Sequence, residues 1–264
     1  MQIEDLRQIH DGYDHIYLSP HLDDAALSCG GAIARHASEG ARVLVVTLCT
    51  AAPPPDTPLS RFAQDHHLMW GFAPEQAMAE RQREDDLALD RLDADTYRAG
   101  LLDAIYRMPE VYTDNGRLFG TPAPDDQLLF STRQLIAALH NRVPRATFYA
   151  PLGVGNHVDH QIAYTAARDG AGAAMAFYED FPYMLWDGAF EQRMRALGQP
   201  FIASTIDIDT TLTRKIGAIS AYASQLSSLF DQPAALAKIV GDYAENLRPE
   251  SGTYGERVWL RDIQ

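Results

Sequence analysis

His21, Asp23 and Asp24 fall within four residues at the end of an apolar run, Tyr17-Leu-Ser-Pro-His-Leu-Asp-Asp24. Far along the chain, His157-Val-Asp-His160 follows Pro151-Leu-Gly-Val-Gly-Asn156. A histidine and a carboxylate three apart at the mouth of a helix turn toward one point, and the second motif repeats that spacing with two histidines. Neutral imidazole and carboxylate together suit Zn²⁺, and three protein ligands with one open position is the catalytic pattern rather than the structural one. The two motifs exceed such a set by one acid and one histidine. A hydrolase has work for both: a carboxylate to take a proton from water, and an imidazole to stabilise or protonate a tetrahedral intermediate. On chemistry alone Asp23 and Asp24 are equal candidates for the metal, and so are His157 and His160. Each motif taken singly also reads as helix capping. Their recurrence, both times after a strand, favours the metal.

The elements that must hold these residues follow from the local pattern. His15 to Ser19 reads as a strand, Asp24 to Glu39 as a helix stopped at Gly40, and Val43 to Leu48 as a strand buried on both faces. This β-α-β opening predicts an α/β fold, a Rossmann-like three-layer arrangement with a mostly parallel central sheet. Residues 1–14 read as a short polar helix or arm. Ala51-Ala-Pro-Pro-Pro-Asp-Thr-Pro58 must be an exposed loop, at the strand end where open α/β sheets bind ligands. Helices are expected over 61–70 and 74–92, a strand over 96–104 with Asp103 at its end, and a turn-rich candidate lid over 109–127. A helix over 128–141, a strand over 146–150, a helix through Arg168 and a strand from Met175 to Asp180 complete the α/β alternation. The C-terminal part, about 200–264, is expected to be mainly helical, with a strand over 201–207 and helices over 211–229 and 233–246. No repeat or long linker divides residues 1–264, so one domain is expected.

Bulk properties narrow the function. A net charge of −14 argues against nucleic acid and against anionic membranes. Two cysteines, Cys29 and Cys49, make a disulfide framework implausible, and both read as small core residues. The N-terminal stretch lacks a signal-peptide pattern, and no apolar run reaches the ~20 residues of a membrane span. A cytoplasmic protein with a small-molecule substrate is expected, with self-association left open. The turn after the first strand carries no G-x-G-x-x-G, so a dinucleotide site lacks support.

The two motifs together resemble those of the PIG-L/LmbE family of zinc-dependent deacetylases, whose fingerprint is His-Pro-Asp-Asp-Glu early and His-Pro-Asp-His midway. The resemblance implies one zinc per chain held by His21, Asp24 and His160, with Asp23 as general base, His157 as the second catalytic histidine and Asp159 supporting the site from outside the ligand shell. Arg81-Gln-Arg-Glu84 is similar to the family's Arg-x-x-Glu helix, which implies that Arg81 lies near substrate. Tyr178-Glu-Asp-Phe-Pro-Tyr183 and Lys215…Tyr222-Ala-Ser-Gln225 resemble segments of its longer members. Leu22 and Val158 stand where the family has proline, and Ala25 where it has glutamate.

Other residues carry weaker signals. Arg81 also reads as an exposed helix arginine paired with Glu84 or Asp85. Asp103, a candidate substrate contact, sits with Glu179 and Asp180 at strand ends, where capping is an equal reading. His66-His67 reads as surface or lid, and Tyr183-Met-Leu-Trp186 as loop packing or a sugar-stacking platform. The expected activity is removal of an acyl group, acetyl first, from an amide nitrogen on an N-acetylglucosamine-type sugar or conjugate. An amidase for thiol conjugates or natural-product intermediates, and a non-catalytic glycan or metabolite binder, are the alternatives. Iron or manganese also suits a two-His, one-carboxylate site.

Overall fold

The computed structural model describes residues 1–170 and 175–262, the side chains of Pro74 and Glu75 apart. In chain order the strands are β1 (Gln2–Ile3), β2 (His15–Ser19), β3 (Val43–Cys49), β4 (Asp95–Leu101), β5 (Thr147–Pro151), β6 (Met175–Tyr178), β7 (Phe201–Asp207) and β8 (Gly255–Arg261). The helices are α1 (Asp24–Ser38), α2 (Arg61–Trp70), α3 (Pro74–Arg91), α4 (Ala104–Arg107), α5 (Asn115–Leu118), α6 (Leu128–Arg142), α7 (Val158–Gly170), α8 (Ala189–Leu197), α9 (Leu212–Ile219), α10 (Leu226–Leu229) and α11 (Leu236–Asn246).

The strands form one sheet in the order β1-β4-β3-β2-β5-β6-β8-β7, parallel through β6, with β8 antiparallel to both of its neighbours. Strand alternation builds the three layers. Ile16, Leu18, Leu44, Val46, Phe148 and Phe177 face Ile136 and Leu139 of α6 and Tyr164 and Ala167 of α7. Tyr17, Val43, Val45 and Tyr149 face the opposite way, onto Ala26, Cys29 and Ile33 of α1 and Leu89 of α3. After β2 the chain winds outward through β3 and β4; after β5 it winds the other way through β6. The β2–β5 boundary is therefore a topological switch point, where open α/β sheets form a crevice at their strand ends. Both histidine motifs leave the sheet there, on neighbouring strands paired at Tyr17 and Tyr149.

Three expectations need correction. The N-terminal segment adds a short edge strand, β1 on β4, before a 3-10 turn at Leu6–Gln8. The helix expected over 211–229 stops at Ile219 and resumes at Leu226, because Tyr222 and Ser224 are drawn onto α3: the Tyr222 hydroxyl donates to Asp85 at 2.8 Å and Ser224 binds Glu84 through its backbone N–H and hydroxyl. The mainly helical C-terminal part also contributes β8, inserted between β6 and β7. Among the described residues no helix is long and apolar enough to cross a membrane.

Candidate active site

Pro20 ends β2, and the chain turns sharply through Asp23, whose φ of 135° is a strained value for a residue with a side chain. Asp23 makes no capping hydrogen bond; the Ser19 hydroxyl instead accepts from Ala25 N–H at 3.0 Å. That substitution frees both acids. Asp24 Oδ2 accepts from the His21 backbone N–H at 2.8 Å and lies 3.1 Å from His21 Nδ1 and 3.3 Å from His160 Nε2. Asp23 lies beside Arg81 Nη2, at 3.9 Å.

The second loop depends on glycines. Gly153 and Gly155 have φ of 85° and 84°, and a Cβ on either would strike Arg193 or Tyr183 at 2.7 Å. The tight path presents the Gly153 and Val154 N–H groups to Asp180 Oδ2, at 2.7 and 2.8 Å. The other oxygen of Asp180 accepts from His160 Nδ1 at 2.7 Å. His160 Nε2 is buried without a hydrogen-bond partner and faces Asp24. His21 has a similar outer contact, its Nε2 lying 3.1 Å from Asp159 Oδ2.

The donor set fits a divalent metal: two imidazoles, each backed by a carboxylate on its far nitrogen, with the Asp24 oxygen between them. His21, His157 and His160 also bring one nitrogen each within 4.8 Å of one another. A cation here would meet strong fields. Burial opposes ionisation of Asp24, but His160 and His21 hold its carboxyl well below the usual range. Burial lowers the His21 imidazole, yet hydrogen bonds to Asp159 and Asp24 raise it well above 6.5, and Asp24 and Asp180 likewise outweigh burial at His160, raising it to about 9. Burial, then the Asp24 charge, pushes Asp23 up to about 7. His157 is driven well down by burial and then by His21. Its Nδ1 accepts from Asp159 N–H at 3.2 Å, so the neutral ring carries its proton on Nε2.

His21, Asp23, Asp24, Arg81, Asp103 and His157 all line one cavity of about 1150 Å³. Asp103 caps α4, its Oδ1 accepting from Ile105 N–H, and its Oδ2 lies 3.5 Å from His21 Nε2. Arg81 is buried, not an exposed partner of Glu84. Its guanidinium sits 4.8 Å over Trp70, and its Nε has no hydrogen-bond partner. The carboxylate of Asp159 serves His21, while only its backbone N–H serves His157. Of the histidine pair, His66 lines the cavity and His67 is buried with its Nε2 2.8 Å from the Tyr106 hydroxyl, a correction to the surface reading. Among the described residues the Pro-rich segment 51–58 does not line the cavity; the 115–119 part of the candidate lid does.

Two groups escaped sequence reasoning. Asp180 showed as an acid at a strand end and within the family-like segment Tyr178–Tyr183, but with no role assigned to it. Arg107 carried no signal. It bridges Asp126 (2.7 and 2.8 Å) and Asp159 (2.6 Å), tying the candidate lid to the carboxylate behind His21.

Comparison with known proteins gives these residues a family. Residues 16–171 match the PIG-L model, GlcNAc-PI de-N-acetylase. The chain is 30% identical over 217 residues to a 2'-N-acetylparomamine deacetylase from Streptomyces fradiae, covering 80% of this chain and 72% of the relative. A protein of the same description from Niallia circulans is 25% identical, with 83% of each chain covered. The zinc-inhibited form of a teicoplanin deacetylase superposes with a TM-score of 0.79 at 29% identity, over 95% of this chain and 99% of that one.

Proposed function

The chain belongs to the PIG-L family of GlcNAc-PI de-N-acetylases, and from that premise we propose that it is a metal-dependent hydrolase removing an acetyl group from the amino nitrogen of an amino-sugar conjugate. One observation carries this reading: His21 and His160, each held by a carboxylate on one ring nitrogen, turn their other nitrogens to Asp24, and His160 Nε2 is otherwise unpartnered. These three residues hold the metal, for which zinc suits the donor set. When bound, the cation supplies positive charge that polarises the amide carbonyl and acidifies water.

The chain's own groups perform the rest. Asp23 projects into the cavity and takes a proton from the attacking water as the C–O bond forms. Its buried, acid-flanked carboxyl lies near a base's useful range, and Arg81 keeps the proton from being held too tightly. His157, neutral with its proton on Nε2, donates a hydrogen bond to the developing oxyanion. The proton on Asp23 then passes to the nitrogen as the C–N bond breaks, releasing acetate and the free amine. Arg81, with an uncommitted buried Nε, and Asp103 bind substrate polar groups at the rim of the reacting centre.

The relatives that act on 2'-N-acetylparomamine and teicoplanin support an amino sugar within a natural product as the substrate. The test is Asp23→Asn, assayed for acetate release from N-acetyl amino sugars beside zinc content. Turnover is expected to fall about 10²–10⁴-fold with zinc retained. Near wild-type turnover in that variant would remove the base assignment.

A further inference from the structure

The sheet ends differently on its two sides. At one edge β1 is two residues long, and the Met1 ammonium and the Arg42 guanidinium both bind Asp95 beside it. At the other edge β7 runs seven residues, Phe201–Asp207, with no register shift against β8. Natural edges of that length are blunted by proline, a bulge or charged side chains. β7 has none of these between Phe201 and Ile206; Pro200 and Asp207 stand just outside. Residues 202–205 are all exposed.

The hydrogen-bonding register decides which groups the edge offers. Asp262 N–H donates to the Pro200 carbonyl and Ile208 N–H to the Tyr254 carbonyl, so the bonded rungs with β8 fall on even-numbered residues of β7. Phe201, Ala203 and Thr205 therefore turn their N–H and C=O groups away from β8, and among the described residues nothing bonds them. Beside them Ile202 is 54% exposed and pairs in register with Leu260, itself 40% exposed.

We propose that β7 is the contact between two copies of this chain, which join antiparallel across a two-fold axis at Ser204 and continue the sheet through the pair. That register sets Ala203 opposite Thr205 of the second copy and Phe201 opposite Asp207, as bonded rungs made from the groups β8 leaves free. It also sets Ile202 opposite Ile206 of the second copy, which covers the exposed apolar pair, and Ser204 opposite Ser204. Moving the axis to Ala203 or Thr205 shortens the ladder and sets an isoleucine against serine.

Charge permits the approach, although the chain carries a net −14. β7 and β8 together hold Asp207 and Glu256 against Arg257 and Arg261, so the meeting edges are locally neutral. Arg261, beside Phe201 on β8, lies one strand from Asp207 of the second copy. Antiparallel joining points the C-terminal strand ends of the two sheets in opposite directions, so each cavity keeps its own mouth.

The test is the mass of the full chain in solution, by light scattering. Contacts through one strand edge are small and weak, so wild type should be monomeric at about 1 µM and mostly dimeric at about 100 µM. Ser204→Lys opposes two ammonium groups on the axis and should raise the dimer Kd at least about tenfold, with circular dichroism unchanged. Ser204→Cys should form a covalent dimer under mild oxidation, because facing residues of a non-bonded antiparallel rung stand about 4.5 Å apart at Cα, within the span a disulfide bridges. Ile202→Cys should not, since its counterpart lies displaced along the strand, and Cys29 and Cys49 are buried. A wild type still monomeric at about 100 µM overturns the pairing; if an added extended peptide then binds the edge, β7 serves a different chain. A dimer that resists Ser204→Lys, or one that cross-links through Ile202→Cys in preference to Ser204→Cys, puts the contact elsewhere and overturns it too.

Discussion

Asp180 offers no ligand atom in the proposed metal set, yet it fixes two things at once. One oxygen holds His160 Nδ1, so that Nε2 keeps its lone pair for the site; the other gathers the Gly153 and Val154 N–H groups into the loop that delivers His157. Carboxylates behind metal-bound histidines are worth about 10–100-fold in affinity. Asp180→Ala should therefore weaken zinc binding by that factor, read by competition with a chromophoric chelator. An affinity within twofold of wild type would mean that packing against Tyr183 alone orients His160. The same level of detail explains why chemistry cannot separate Asp23 from Asp24 in sequence: the two are adjacent and identical. The difference lies in one backbone angle, the positive φ at Asp23, which turns its neighbour between the imidazoles. Ala25 is legible as a departure from the family but not in its meaning. Its side chain is buried with Tyr17, Ala26 and Cys29 on the core face of α1, where a carboxylate would lose its hydration without a partner.

The loop between β4 and α6 looks open in sequence because its turn residues dominate, but its anchor is a buried ion network. Arg107 binds Asp126 through two nitrogens and Asp159 through one, and the Tyr112 hydroxyl donates to Asp126 at 2.8 Å. Removing one member of a buried charge set leaves the others uncompensated, at about 3–5 kcal/mol. Arg107→Met should lose stability of that order in denaturant unfolding and become cleavable by protease within residues 109–126. A loss under about 1 kcal/mol would show that the apolar packing of Leu118 and Tyr112 holds the loop by itself. Elements governed by short-range pattern are legible: β2, α1 and β3 follow from apolar alternation, an acid at the helix start and Gly40 after its end. Elements governed by distant partners are not. β8 reads as polar because Glu256 and Arg257 interrupt it, and Glu256 becomes a core residue only when Lys215 of α9 arrives at 2.6 Å and the Gly31 and Ala32 N–H groups of α1 donate to it. The break between α9 and α10 has the same origin, in the acids that α3 supplies.

Across the molecule, the two ends of the sheet carry opposite duties. The C-terminal strand ends hold the acids and imidazoles of the cavity; the N-terminal end holds a packed aromatic group that takes no part in it. There His15 and His36 stack at 3.8 Å, Tyr17 stacks on Tyr149 at 4.3 Å, and each tyrosine hydroxyl lies 3.2 Å from one histidine Nδ1. A neutral Nδ1 can accept from the tyrosine hydroxyl beside it, whereas a protonated one can only donate. Burial, and after it the nearby His15, pushes His36 down to about 4, and burial lowers His15 as well. The unfolded chain takes up this proton near pH 6.5. Between pH 4 and 6.5 the unfolded state therefore binds more protons at His36 than the folded state does, and stability rises with pH. The contribution is complete above pH 6.5 and is lost progressively as pH falls toward 4. Wild type should lose Tm more steeply than His36→Gln over pH 7 to 4.5, since the histidines of the site, His21 and His160 raised and His157 lowered, are common to both proteins. Parallel Tm profiles would mean that the His15–His36 stack accepts a proton as readily as the unfolded chain, and the two ends of the sheet would not differ in their response to acid.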